Sequence, residues 1–338
     1  MTVRRNSAII FVVIAVLIDF MGIGLIAPII PKLLEQLTGK GLSDSAGYSG
    51  WLSFVYALLL FFCAPIMGNL SDQYGRRPLL LISLLGLGVD YLFSAFSPTL
   101  GWLFLGRAIA GLCGASITTA SAYIADVSTP ENRAQNFGLI GAAFGAGFVL
   151  GPALGGLVAH WGVRAPFIAA ACLSFCNATF GYFVLPESLL PENRRRFEWR
   201  RANAIGSLQH LRQYPLVLAL AAALFFIYLS GQSLQSTWNF YTMFKFDWSE
   251  GMIGASLALV GVMTLIVQGG LIRIIIPRVG NRNAIFLGLL IYGAGMTAFA
   301  FATQGWMMFG AAFLAAALCC LISFLLAWRA LRHYMAPK

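Results

Sequence analysis

The chain has 338 residues, of which 59% are hydrophobic and 10% charged, and its mean hydropathy is +0.80. A water-soluble domain carries about a quarter charged residues, and no single core hides this much apolar surface, so the composition excludes a soluble enzyme and leaves a polytopic helical membrane protein. The formal charge of +10 does not point to nucleic acid, because the 22 Lys and Arg lie in short segments between apolar runs, where they set membrane orientation.

In chain order, apolar stretches fall near 7–30, 48–68, 79–97, 101–124, 136–159, 165–185, 216–238, 251–276, 284–302 and 306–327. Each is long enough to cross a bilayer, and a backbone in hydrocarbon must satisfy its own hydrogen bonds, which predicts transmembrane helices. The first stretch follows Arg4 and Arg5 and continues through Asp19 to about Ile30, so it is read as a span and not as a leader. If the N-terminus is cytoplasmic, only Lys32, Lys40, Arg164 and Lys245 face outside, Arg107 lies in the membrane, and the remaining basic residues face inside. This asymmetry predicts that both termini are cytoplasmic, in a cytoplasmic membrane of bacterial type. The polar stretch Pro186–Pro215 divides the chain into a six-helix bundle over 1–185, a central loop over 186–215 and a C-terminal bundle over 216–338. At the residue density of the first bundle, the last has room for about four helices and is two short.

Ionisable groups inside apolar runs are costly, by at least about 2.5–3.5 kcal/mol each, and are functional candidates by default. Asp19 lies mid-span ahead of Pro28 and Pro31, where a broken helix would present it to a water-filled cavity; the alternative is a structural hydrogen bond to a neighbouring helix end. Asp90 suits function and packing equally. Arg107 keeps its charge and requires an acid, carbonyls or water as partner, in either a moving or a static pair. Between the second and third runs, Gly68-Asn-Leu-Ser-Asp72-Gln-Tyr-Gly75-Arg76-Arg77-Pro78 forms a tight basic turn. Asp126, Glu131 and Arg133 after the fourth run carry matching charge, so an ion-pair latch between these loops is expected to close the cytoplasmic side in one conformation. In the fifth run, Gly138, Gly147, Gly151, Pro152, Gly155 and Gly156 offer close helix approach and a bend, either as plain packing or as a pivot. Trp51, Tyr56, Phe144, Phe148, Trp238 and Tyr241 are candidate cavity aromatics. Cys63, Cys113, Cys172, Cys176, Cys319 and Cys320 fall in apolar runs and are read as small buried hydrophobes, and His160, His210 and His333 are isolated, so neither metal nor cofactor is expected.

The turn Gly68–Pro78 resembles the hallmark loop of the major facilitator superfamily, and the fifth-run spacing Gly138-x8-Gly147-x3-Gly151-Pro152-x2-Gly155-Gly156 resembles the signature of its drug/proton antiporters. Asp19 through Pro31, Asp90-Tyr91, Gly106-Arg107, Pro186-Glu187-Ser188 and Gly231-Gln232 through Trp238 resemble the tetracycline/proton antiporters of that superfamily, nearly continuously over 7–308. The resemblance implies a gate at Asp72, Arg76 and Arg77, proton and substrate handling by Asp19, Asp90, Arg107 and Gln232, and an antiport hinge at the fifth-run glycines. Two features depart from it. The stretches Gly261–Thr264 and Leu290–Tyr292 lack the family's histidine and aspartate, and the second gate-like loop, near Arg273–Arg282, has Pro277 in place of an aspartate. After Phe309 the match passes directly to the family's last helix, over Cys319–Arg332, as an internal deletion of about two helices would produce. The expectation is an all-α major facilitator fold with a shortened second half. It is not an enzyme but a proton-coupled exporter of amphipathic drugs such as tetracycline-like compounds, with drug, protons and membrane lipid as partners and no nucleic acid. The alternative is a truncated paralogue that does not transport.

Overall fold

The computed structural model describes residues 2–114, 116–129, 132–199, 202–204, 206, 215–266 and 281–310, and every regular element among them is helical. Helix α1 (Thr2–Ile26) continues through a 3-10 turn at Ala27–Ile29 into α2 (Ile30–Thr38). The break expected after Asp19 is therefore present, at Pro28, where the proline ring removes a backbone donor. Then come α3 (Leu42–Tyr74), α4 (Arg76–Phe96), α5 (Leu100–Cys113), α6 (Ser116–Val127), α7 (Arg133–Val158) and α8 (Ala165–Val184). The second half contributes α9 (Pro215–Phe246), α10 (Glu250–Ile266) and α11 (Asn281–Phe301).

Among the described residues, six segments are long and apolar enough to cross a membrane: Ile9–Thr38, Leu42–Tyr74, Arg76–Phe96, Leu100–Val127, Asn136–Trp161 and Ala165–Val184. The sequence pattern places these spans but not their ends. Helix α3 runs 33 residues, or about 50 Å, because its polar ends continue the helix beyond the apolar run. The stretch read as one span over 101–124 is two helices, α5 and α6, separated at Gly114. The expected spans running to 276 and 327, the loop Arg273–Arg282, the last helix Cys319–Arg332, and Glu131, His210 and His333 lie wholly or partly outside the described residues.

Two apolar cores stack along α1. Phe11, Val12, Ala15 and Val16 pack with Leu80 of α4, with Ala120, Tyr123 and Ile124 of α6, and with Ala143 of α7. Leu25, Ile26 and Ile29, with Leu33 and Leu34 of α2, pack with Leu87, Tyr91 and Ala95 of α4, Leu103 and Ala110 of α5, and Phe167 and Ala170 of α8. Side chains clasp helices across these cores: Ser174 Oγ donates to the Leu84 carbonyl at 2.8 Å and Asn177 Nδ2 to the Ala15 carbonyl at 3.2 Å. Between the two cores lies a polar layer. The sulfhydryls of Cys63, Cys113, Cys172 and Cys176 are free, and Cys172 and Cys176 are exposed where burial was expected; they point outward from α8, where an apolar side chain meets lipid.

Candidate functional site

Asp19 lies twelve residues into the apolar run 7–30, which puts it about 18 Å along the run and near its middle. It is 7% exposed, and the hydroxyl of Ser116, the first residue of α6, donates to its carboxyl. The break between α5 and α6 thus places a serine hydroxyl at a helix start against Asp19. The helix-end bond weighed in the sequence is present, and Ser116 is the residue that sequence reading missed. Its only sign was the Gly114-Ala115-Ser116 string.

Arg107 of α5 meets Asp90 of α4. Its Nε donates to Asp90 Oδ1 at 3.1 Å and its Nη2 pairs with Oδ2, a two-pronged geometry that suits the flat guanidinium. Asp90 is fully buried, whereas the Arg107 side chain is 22% exposed. Gly106 admits this pair, since a Cβ there would lie 2.8 Å from Asp90 Oδ1. Tyr56 of α3 is within electrostatic reach of both Arg107 and Asp19. Three elements of the first bundle, α3, α4 and α6, therefore bring the hydroxyls of Tyr56, Tyr91 and Ser116 to Asp19, and Tyr56 links this group electrostatically to Arg107. Gln232 is exposed on α9 and not enclosed with this group.

The basic turn is built around Gly75, whose φ of +107° is open to glycine. Arg76 pairs with Asp72 at 2.5 Å and with Asp126 at 3.1 Å. The latch between the two loops exists, but both loops belong to the first bundle. It joins the α3–α4 turn to the end of α6, the two loops between which it was expected, and so ties elements of one bundle and does not bridge the halves. Gly68 has no neighbour near its missing Cβ. Glu187, which sequence analysis did not place at this turn, accepts from the backbone N–H groups of Arg76 (2.8 Å) and Arg77 (3.3 Å) and caps α4 from across the bundle. A Cβ at position 75 would meet its Oε2 at 2.2 Å. The central loop then lies along the end of α3, with Arg195 N–H bonded to the Asp72 carbonyl and Phe197 N–H to Gln73 Oε1. Replacing Glu187 with alanine is expected to cost about 1–2 kcal/mol, the range of a lost helix cap. Ser188→Ala should cost less than half as much, as judged by thermal unfolding in detergent.

The fifth-run glycines face two ways. Gly147, Gly151 and Gly155 lie against Leu17, Met21, Gly24 and Leu25 of α1, with backbone atoms 2.2–2.8 Å from where a Cβ would sit. Gly156 lies against α10, and Pro152 touches both helices: its ring is 2.7 Å from where a Cβ on Gly24 of α1 would sit, and its carbonyl oxygen is 2.5 Å from where one on Gly254 of α10 would sit. Gly138 has nothing within 4 Å of such a Cβ and takes no part in either seam. The α10 partners Gly254 and Gly261 were not identified in the sequence.

The seam with α10 joins the halves, and two polar contacts reinforce it at the end opposite the arginine-rich turn. Lys32 of α2 pairs with Glu250 of α10, and Asn239 Nδ2 of α9 donates to the Ala27 carbonyl at 2.5 Å. Among the aromatics, Phe144 stacks on Phe148 and meets Phe20 edge-on, and Trp51 is exposed. Trp238 packs in the second-half core with its indole N–H on Ser256 Oγ, so it is taken up by packing and leaves no face for a ligand. Lys245 occupies the Tyr241 hydroxyl. Among the described residues, no group of three or more His, Cys, Asp and Glu is placed to hold a metal.

The family model described as Major Facilitator Superfamily matches residues 12–337. The tetracycline resistance protein of class C from Escherichia coli is 41% identical over 307 residues, covering 90% of this chain and 76% of its own length. That of class G from Vibrio anguillarum is 39% identical over 317 residues, covering 90% and 77%. Among solved structures, the human organic anion transporter MFSD10 (TETRAN) superposes with a TM-score of 0.73 at 23% identity, over 96% of this chain and 85% of its own. The Escherichia coli xylose transporter XylE, in a partially occluded inward open conformation, superposes at 0.69 and 15% identity, over 97% and 88%. Both structures share the fold.

Proposed function

The chain belongs to the major facilitator superfamily, and on that premise we propose that it is a proton-driven antiporter that exports amphipathic, cationic or zwitterionic drugs, tetracycline-like compounds among them, by alternating access. The observation that carries this reading is a carboxylate, Asp19, buried at midspan between two apolar cores with the Ser116 hydroxyl as its partner, in a bundle that also buries an Asp90–Arg107 pair. A lone acid there is too costly for packing alone, and it can exchange a proton for a cationic drug because both compete for the same charge. The similarity to tetracycline resistance proteins supports drug as the substrate class. The missing ionisable groups at Gly261–Thr264 and Leu290–Tyr292 favour a ligand recognised by shape and stacking over one recognised through a bound metal.

In the proposed orientation the arginine-rich end faces the cytoplasm, as do both termini, because Arg76, Arg77, Arg133 and Arg194–Arg196 share that end while Lys32 and Lys40 lie at the other. The contacts of Lys32 with Glu250 and of Asn239 with Ala27 then close the outer side, so this conformer receives drug from the cytoplasm. The working units are the bundle 1–185, the loop 186–215 and the bundle 216–338. A proton arriving from outside neutralises Asp19 and releases drug outward. Return of the proton to the cytoplasm restores the charge that captures the next drug molecule.

The test is drug accumulation in cells expressing the chain. The parent is expected to lower steady-state accumulation several-fold, collapse of the proton gradient with an uncoupler should abolish the effect, and Asp19→Asn should abolish it while still reaching the membrane. A parent that leaves accumulation unchanged overturns the carrier reading in favour of a shortened paralogue that does not transport.

A further inference from the structure

Tyr91 follows Asp90 on α4, is 2% exposed, and among the described residues its hydroxyl is buried without a hydrogen-bond partner. Phenylalanine would fill the same space without a stranded polar atom. The position of the hydroxyl is specific. A Cβ on Gly22 would lie 3.1 Å from it, so the phenol oxygen rests on bare α1 backbone one turn beyond Asp19, on the same helix face. Asp19 and Tyr56 both lie within electrostatic reach of Tyr91. The Tyr56 hydroxyl in turn approaches Gly114, 3.4 Å from where a Cβ would sit, at the break that presents Ser116 to Asp19. An ionised carboxylate has about four lone-pair sites, so Ser116 alone leaves Asp19 with acceptor capacity to spare. The neighbouring α7 brings Phe144 and glycines to α1, and α8 brings Asn177, which is bonded to the Ala15 carbonyl.

We propose that Tyr91 is a positioning residue for proton exchange at Asp19: its hydroxyl, directly or through one buried water, donates to the ionised carboxylate and accepts from the protonated one. Asp19 then keeps a partner in both protonation states when movement of α6 withdraws Ser116. The proton enters and leaves on the Asp19 carboxyl oxygen, and Tyr91 ends each cycle with the proton it began with. The inference rests on the reading of Asp19 as the proton carrier.

The test uses the full chain in lipid vesicles and has a spectroscopic and a kinetic arm. Infrared difference spectra taken across pH give the C=O stretch of protonated Asp19, assigned by its disappearance in Asp19→Asn. In Tyr91→Phe this band is expected to move to higher frequency as the carboxyl loses a hydrogen-bond partner, and proton-driven drug efflux should fall about tenfold. Drug exchange at equal pH on both sides should stay within twofold of the parent. If the hydroxyl were only a packing defect, Tyr91→Phe would leave the band and the coupled flux unchanged, and that result overturns the inference. A parent with no carboxyl band assignable to Asp19 overturns instead the assignment of the proton to Asp19, and the inference with it.

Discussion

Arg107→Ala is expected to be among the most damaging single substitutions in the first bundle, costing about 3–5 kcal/mol. The reason is the asymmetry of the pair. Asp90 is fully enclosed and takes both contacts from Arg107, whereas the Arg107 side chain is partly exposed. Removal of the arginine leaves a carboxylate stranded among Gly106, Phe93 and the α4 backbone, and no other cation among the described residues is placed to replace it. Asp90→Asn is expected to be milder, because the arginine can turn toward Tyr56 and the polar layer. The double variant Asp90→Asn with Arg107→Gln should recover more than half of the loss, as neither remaining group is charged. Unfolding temperature and monodisperse yield in detergent check both statements. An Arg107→Ala protein as stable as the parent would mean that the pair is open to water and not buried in the bundle.

The second large effect is expected at the α1–α7 seam. A Cβ at Gly155 would stand 2.2 Å from the Leu25 carbonyl oxygen, and one at Gly151 would stand 2.7 Å from the Met21 carbonyl oxygen and 2.8 Å from Gly24 Cα. These obstacles are backbone, which cannot rotate aside, so relief requires the helices to part. Parting them forfeits contact along the whole seam, which in lipid is what holds helices together. Gly151→Ala and Gly155→Ala are each expected to lower drug flux per folded molecule at least tenfold. Gly138→Ala, in open space, should remain within twofold, although all three glycines belong to the same sequence motif. Equal losses at all three positions would show that the motif acts through something other than close approach to α1.

This contrast also marks how far the sequence could be read. Periodic glycines announce a helix face that approaches something closely, but they do not say what. Here the run divides between α1 and α10, and Gly138 falls outside both seams. The positions of the spans followed from hydrophobic length, because a bilayer fixes that length physically. The break between α5 and α6 did not follow, since Cys113 and Ser116 sit in an apolar run that satisfies the same length. Asp19, Asp90 and Arg107 stood out because charge in hydrocarbon is costly, yet the pairing of Arg107 with Asp90 and not with Asp19 depends on how α4 and α5 pack. Glu187 lay in a polar stretch, where an acid is unremarkable. Its role at the basic turn emerges only when the chain after α8 folds back over Gly75.

The central claim is that Asp19 exchanges a proton for drug within a cavity that opens to each face in turn. It is tested most directly with purified protein in sealed vesicles, using an imposed drug gradient as the only energy source and a pH-sensitive dye inside. The parent is expected to move protons opposite to the drug, at a rate that rises with the drug gradient, and Asp19→Asn is expected to move none. Drug crossing without proton movement, or proton movement that persists in Asp19→Asn, would contradict the account.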